Sequence, residues 1–266
     1  MKPLRLCVLG NSHVATLKTG WEKAAGALEG VEAAFAGCIG AGMASFDIVD
    51  GRLGPREPEA AAFFRDISDT GDFIDPAEFD AFLLVGMRLV AEPLIQNYAA
   101  FATPSTHNHD TAPHFVSDGC MADAFWSALE QSSMLHVART VRRVTDKPVF
   151  TAWQAFLSEG LMDIEWRRQR YQPILANKDQ PFVHDMLAEM DRRLVAEGYR
   201  PLHQPKSTIS KGIMTKAAYS RGSVRFRKEL IHEHREEDVF HMNADFGAAC
   251  WKAWARDIQA PAQVAA

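Results

Sequence analysis

The sequence predicts an α/β protein, a parallel sheet with helices on both faces. Two observations predict it. Short apolar runs alternate along the chain with segments whose apolar residues recur at helical spacing. Polar or glycine-rich turns follow these runs directly, as they do at the carboxyl ends of strands in such sheets.

Taken in order, residues 4–9 read as a buried first strand leading into Gly10-Asn11-Ser12-His13. Residues 14–28 read as a helix, apolar at Val14, Leu17, Trp21, Ala24, Ala25 and Leu28, with Gly30 as its stop. Residues 31–39 form a second strand that runs into Gly40-Ala41-Gly42. Residues 50–78, rich in Asp, Glu, Gly and Pro, read as loop with short helices. Residues 79–85 are a buried strand ending at Gly86. Residues 121–144 read as one long helix and 148–153 as a further strand. A helix over 179–197 ends at Gly198. The last helix, 243–257, carries Ala244, Ala248, Trp251 and Trp254 on its inner face, and 259–266 form a frayed tail. Ser12, Gly40 to Gly42, Gly86 and Gln154 follow strands and so converge on one edge of the sheet.

The chain has 266 residues and 47% hydrophobic content, enough for a sizeable core in one α/β domain with insertions, or in two small domains. A net charge of −5 argues against a general nucleic-acid binder. The basic stretches Trp166 to Tyr171 and Arg221 to Lys228 read as solvated faces. The four cysteines form no C-x-x-C pair, and Cys7 and Cys38 lie in apolar runs, which suits a reducing, cytoplasmic setting. The apolar start is too short for a signal peptide, and no apolar run is long enough for a membrane span. Gly40-x-Gly42 continues into Met43, Ala44 and Ser45, so the dinucleotide fingerprint fails and no cofactor is expected. His107-Asn108-His109, with His114, and His232-Glu233-His234 have no third ligand at metal spacing. They read as lid or substrate loops, and no metal is expected.

The chemistry concentrates at the two ends of the chain. Ser12 stands in the turn between the first strand and the first helix. Asp238-Val239-Phe240-His241 stands just before the last helix. A serine hydroxyl is a weak nucleophile and needs a base; His241 can take its proton, and Asp238 can orient and stabilise the resulting imidazolium. Taken singly, Ser12 reads as a helix N-cap and Asp238 and His241 as a surface acid and a capping or core histidine. Their joint order and position favour a nucleophilic site.

Those two blocks resemble the SGNH/GDSL hydrolase superfamily. Gly10-Asn11-Ser12 is similar to its Gly-Asp-Ser block. Asp238-Val239-Phe240-His241-Met242-Asn243 with Phe246-Gly247 is similar to its Asp-x-x-His block. The resemblance implies a three-layer α/β/α sandwich with a flavodoxin-like parallel sheet over residues 1–266, with insertions at about 89–120 and 158–235. It implies Ser12, His241 and Asp238 as nucleophile, base and orienting acid. It also implies an oxyanion donor at Gly40 or Gly42 and a third block beginning at Gly86. There the family asparagine falls on Arg88, which could act as a charged donor or bind an anionic acyl or leaving group. The expected function is hydrolysis of a carboxylic ester, such as an O-acetyl group on a sugar or small metabolite. The alternatives are an O-acyltransferase acting on a polysaccharide or other hydroxyl, and a non-catalytic binding module.

Overall fold

The computed structural model describes residues 2–24, 26–228 and 232–260. Five parallel strands form the central sheet: β1 (Leu4–Gly10), β2 (Val31–Gly37), β3 (Ala81–Val85), β4 (Val149–Ala152) and β5 (Arg200–Leu202). Their spatial order is 2-1-3-4-5, all parallel, which is the flavodoxin-like order. β1 lies between β2 and β3, with Gly10 level with both Gly37 and Val85. The turn after Gly10 therefore opens at the middle of the carboxyl edge, where the strand order reverses.

The sheet divides the core into two layers. Side chains alternate along each strand, so β1 sends Leu6 and Val8 to one face and Cys7 and Leu9 to the other. Helices α1 (Val14–Lys23) and α8 (Ala244–Gln259) cover the first face through Val14, Leu17, Trp251 and Trp254. Helices α4 (Asp118–Glu130), α5 (Ser133–Arg142) and α7 (Gln180–Ala196) cover the second through Leu129, Val137, Val141, Met190 and Leu194. Helix α2 (Pro58–Ile67) supplies Phe64 to one layer and Ile67 to the other. The result is a three-layer α/β/α sandwich. Among the described residues no helix is long and apolar enough to cross a membrane.

Several elements differ from the sequence reading. The long helix expected over 121–144 is two helices, because Ser132 caps a new start by accepting the Leu135 N–H at 3.3 Å. α1 ends at Lys23 rather than 28; Ala25, expected on its apolar face, lies outside the described residues, as do 261–266 of the expected tail. Residues 46–55 form a small antiparallel hairpin, whose second arm, Arg52–Pro55, falls in the stretch expected as loop with short helices. β5 was not expected, since Arg200-Pro201-Leu202 is too short for a pattern. The two stretches expected as insertions contain the short helix α3 (Glu92–Asn97), helices α6 (Glu165–Asn177) and α7, and β5.

α1 and α8 approach each other unusually closely. A Cβ built on Gly247 would lie 2.0 Å from the Thr16 carbonyl oxygen, and one on Gly20 would lie 2.5 Å from Ala248 N. Across this contact the Thr16 hydroxyl donates to the Met242 carbonyl at 2.6 Å, and the Trp251 indole N–H to the Leu17 carbonyl at 2.8 Å. Gly247→Ala should therefore force the helices apart and cost about 2–3 kcal/mol, the usual penalty for overpacking. Denaturant unfolding of the variant checks this; an unchanged midpoint would show that the pair tolerates separation.

Candidate active site

The turn from β1 to α1 places Ser12. Val14 N–H donates to the Asn11 carbonyl at 3.0 Å, so the helix starts one residue beyond His13, and Ser12 is not its N-cap. The Ser12 hydroxyl instead lies 2.9 Å from His241 Nε2. The segment before α8 places His241. Asn243 caps that helix, accepting from the N–H groups of Asp245 and Phe246 at 3.1 Å each. Its amide also donates to the carbonyls of Ala218 and Arg221, which fixes the approach of the chain.

Asp238 completes the line. Its carboxylate lies 3.0 and 3.2 Å from His241 Nδ1 and accepts the N–H groups of Phe240 and His241, each at 2.8 Å. Partial burial works against its charge. Hydrogen bonds from the His241 ring and from the two N–H groups outweigh that and hold it well below the usual carboxylate range. With Nδ1–H facing a carboxylate, His241 presents the Nε2 lone pair to Ser12.

Two further imidazoles flank His241. The His234 ring stacks on it at 3.8 Å and 7° between planes, and the His13 ring lies 4.9 Å away on a 20° tilt. Burial, and then the neighbouring His241, push the His13 pKa down to about 3. The same two causes lower His234, against the pull of Asp238. His234 Nδ1 lies 3.5 Å from Asp238, while its buried Nε2 has no hydrogen-bond partner among the described residues. His234, Asp238 and His241 are close enough together to suggest a metal site. The near-parallel rings argue against it: their in-plane lone pairs run side by side and do not meet at one point.

The remaining sequence candidates are arranged around this line. Gly86 follows β3 with φ +73°, and a Cβ there would lie 2.2 Å from Asn11 Oδ1 and 2.9 Å from the His13 ring. Met87 (φ +53°) and Arg88 (φ +69°) continue in the left-handed region, a costly conformation for side chains larger than glycine. It is held by Met134 N–H on the Met87 carbonyl at 3.0 Å and Gln154 N–H on the Leu89 carbonyl at 2.9 Å. Arg88 is exposed, with no ion pair among the described residues. Gly42 donates its N–H to the Ile39 carbonyl at 3.2 Å and packs on Cys38 and Ala60. Gly40 opens the short 3₁₀ helix Gly40–Ser45. This loop also walls a cavity of about 950 Å³ lined by Cys38, Ile39, Gly42, Glu57 and Phe63.

The histidine loops behave differently from expectation. His107 bonds the buried Asp179 at the start of α7 through both its ring and its N–H, and His109 bonds the Thr103 carbonyl. Asn108 donates to the carbonyls of Tyr98 and Phe101. Residues 103–109 are thus tied to the body rather than poised as a lid. His114 packs near Phe101, with ring centroids 5.3 Å apart. His232 is exposed, whereas His234 stands against the His241 ring.

An unfolded His13 binds a proton from about pH 6.5 downward, whereas the folded ring stays neutral until about pH 3. Between these values the unfolded state holds more protons, so stability falls as pH falls, by up to about 1.4 kcal/mol per pH unit. His13→Phe should remove that slope. Unfolding free energies of both proteins at pH 7, 5.5 and 4 check it; parallel curves would contradict a neutral, partly buried His13.

No protein-family model matches the sequence, and no curated protein matches it. Among solved structures, a chain from Bacteroides fragilis NCTC 9343 described as a "putative acylhydrolase" is similar over 97% of this chain and 89% of its own, at 10% identity and a TM-score of 0.42. A likeness at that level carries no argument about activity.

Proposed function

We propose that the chain is a serine hydrolase of SGNH type that cleaves a carboxylic ester through an acyl-enzyme. The observation that carries this reading is the unbroken line of contacts from Ser12 Oγ to His241 Nε2 (2.9 Å) and from His241 Nδ1 to Asp238 (3.0 Å). A serine that merely capped a helix would need neither partner.

Ser12 Oγ attacks the acyl carbon while its proton passes to His241 Nε2. Asp238, held ionised, stabilises the imidazolium and keeps its Nδ1–H in place. The carbonyl oxygen becomes an oxyanion facing backbone N–H donors at Ser12 and Gly40. Of the two glycines, Gly40 suits this role, because the Gly42 N–H is committed to Ile39. The tetrahedral adduct collapses, the C–O bond to the leaving group breaks, and His241 protonates the departing alkoxide. Water then gives a proton to His241 and attacks the acyl carbon. Release of the acid returns the proton to Ser12. Arg88, exposed beside this edge, stands where the family carries an oxyanion-binding asparagine, and in this reading it contacts the substrate from outside.

Flanking imidazoles serve the same scheme. Held neutral by burial, they leave His241 as the ring of the three that takes the proton, and their faces confine its plane.

A fluorophosphonate should label Ser12 in the wild type and not in Ser12→Ala or His241→Ala, all three checked for folding by circular dichroism. Ester turnover should fall roughly 10⁴-fold or more in Ser12→Ala and His241→Ala, and roughly 10⁴-fold in Asp238→Asn, where the tautomer is lost. A folded wild type that neither labels nor hydrolyses simple acetyl esters would favour the binding-module reading. Acyl transfer to an added sugar alcohol faster than to water would favour the transferase.

A further inference from the structure

The first two turns of α6 carry Trp166, Arg167, Arg168 and Arg170, and the structure treats these cations differently. Arg168 pairs with Glu165 of its own turn. The Arg167 guanidinium carbon lies 4.1 Å from the Trp166 ring centroid and 4.3 Å from that of Phe240. Among the described residues no carboxylate lies within ion-pair distance of Arg167 or Arg170, and no oxygen accepts from the Arg167 guanidinium. Phe240 immediately precedes His241 and gives its own N–H to Asp238, so this clamp belongs to the triad loop.

A half-buried guanidinium without a partner is unfavourable unless something compensates. Here two aromatic faces do so in part, and stacking leaves all five N–H donors free in the guanidinium plane. The acids nearby are already engaged. Asp238 holds His241 and two N–H groups, and Glu92 accepts the Tyr171 hydroxyl at 3.1 Å. Burial lowers the Arg167 pKa, with Tyr171 and Glu92 opposing, yet a guanidinium remains charged at neutral pH. A guanidinium so placed can take an external anion. An arginine fork suits the planar or tetrahedral oxygens of a carboxylate or phosphate.

We propose that Arg167, steadied by Trp166 and Phe240, is an anion subsite of the Ser12 centre, binding a carboxylate or phosphate carried by the ester substrate. The proposal rests on the serine-hydrolase reading for the word ester, but the anion subsite can be tested without turnover.

The first arm compares three acetyl esters of one shape: methyl 4-acetoxybenzoate, 4-acetoxybenzoate and 4-acetoxyphenyl phosphate. The ratio of kcat/KM for either anionic ester to that for the neutral one should fall about tenfold or more in Arg167→Gln, a charge-assisted contact's worth. It should recover in part in Arg167→Lys, which keeps the charge without the fork. Which anion shows the larger fall identifies the group preferred. Ratios unchanged in Arg167→Gln for both anions would overturn the subsite while leaving the triad reading intact. The second arm uses Ser12→Ala and phenylglyoxal, with each modified arginine read by mass spectrometry. Millimolar 4-hydroxybenzoate or inorganic phosphate should slow modification of Arg167 and not of Arg52 in the 46–55 hairpin, whose guanidinium lies over Phe73. Absence of protection by both anions would also overturn the subsite. Protection in a protein that hydrolyses none of the esters would uphold the subsite and remove the hydrolase reading.

Discussion

The site depends first on how closely α1 and α8 pack. Ser12 leads into one helix and His241 into the other, so their separation is set by the distance between two helix starts. Glycines at 20 and 247 remove the side chains that would hold the backbones apart. The Thr16 to Met242 hydrogen bond then fixes the register one residue beyond His241. A shift of one ångström at this contact would break a 2.9 Å hydrogen bond, so stability and chemistry are tied to the same pair of glycines.

A second constraint is electrostatic. Three imidazoles and one carboxylate occupy a small, partly dry volume, and two protonated rings in contact would repel strongly at low dielectric. Burial resolves the conflict by keeping His13 and His234 neutral, while the His241 ring and the N–H groups of residues 241 and 240 keep Asp238 charged. The strained turn Gly86-Met87-Arg88 is bonded from two sides and closes the same region, with Gly86 against Asn11 and His13. Strain of this kind persists only where the surroundings over-determine it.

Much of the fold was legible because its signals are local. The apolar runs of β1 to β4 and the helical spacing of α1, α7 and α8 need no distant partner to be read. The break at Ser132 was hidden because no glycine or proline marks Gln131-Ser132-Ser133, although the apolar stripe changes phase there, and β5 because three residues show no period. For the site, Ser12, Asp238 and His241 stood in short motifs, but His234 did not. Its His-x-His spacing suggests a metal or a loop, and only the return of the chain past Ser223 brings its ring onto His241. Arg167 was masked in the same way: in a run of basic residues it reads as solvated, and the aromatic partner that distinguishes it from Arg168 lies 73 positions later, at Phe240.

The hydrogen bond between Ser12 and His241 spans 229 positions. During synthesis Ser12 emerges before Asp238 and His241, which activate it in the reading proposed above. Until residues 238–241 are made and α8 docks on α1, the hydroxyl is an ordinary alcohol. If Ser12 is the nucleophile proposed above, a nascent chain, or one in which α8 has locally undocked, is chemically silent, and completion of the sandwich is what arms it.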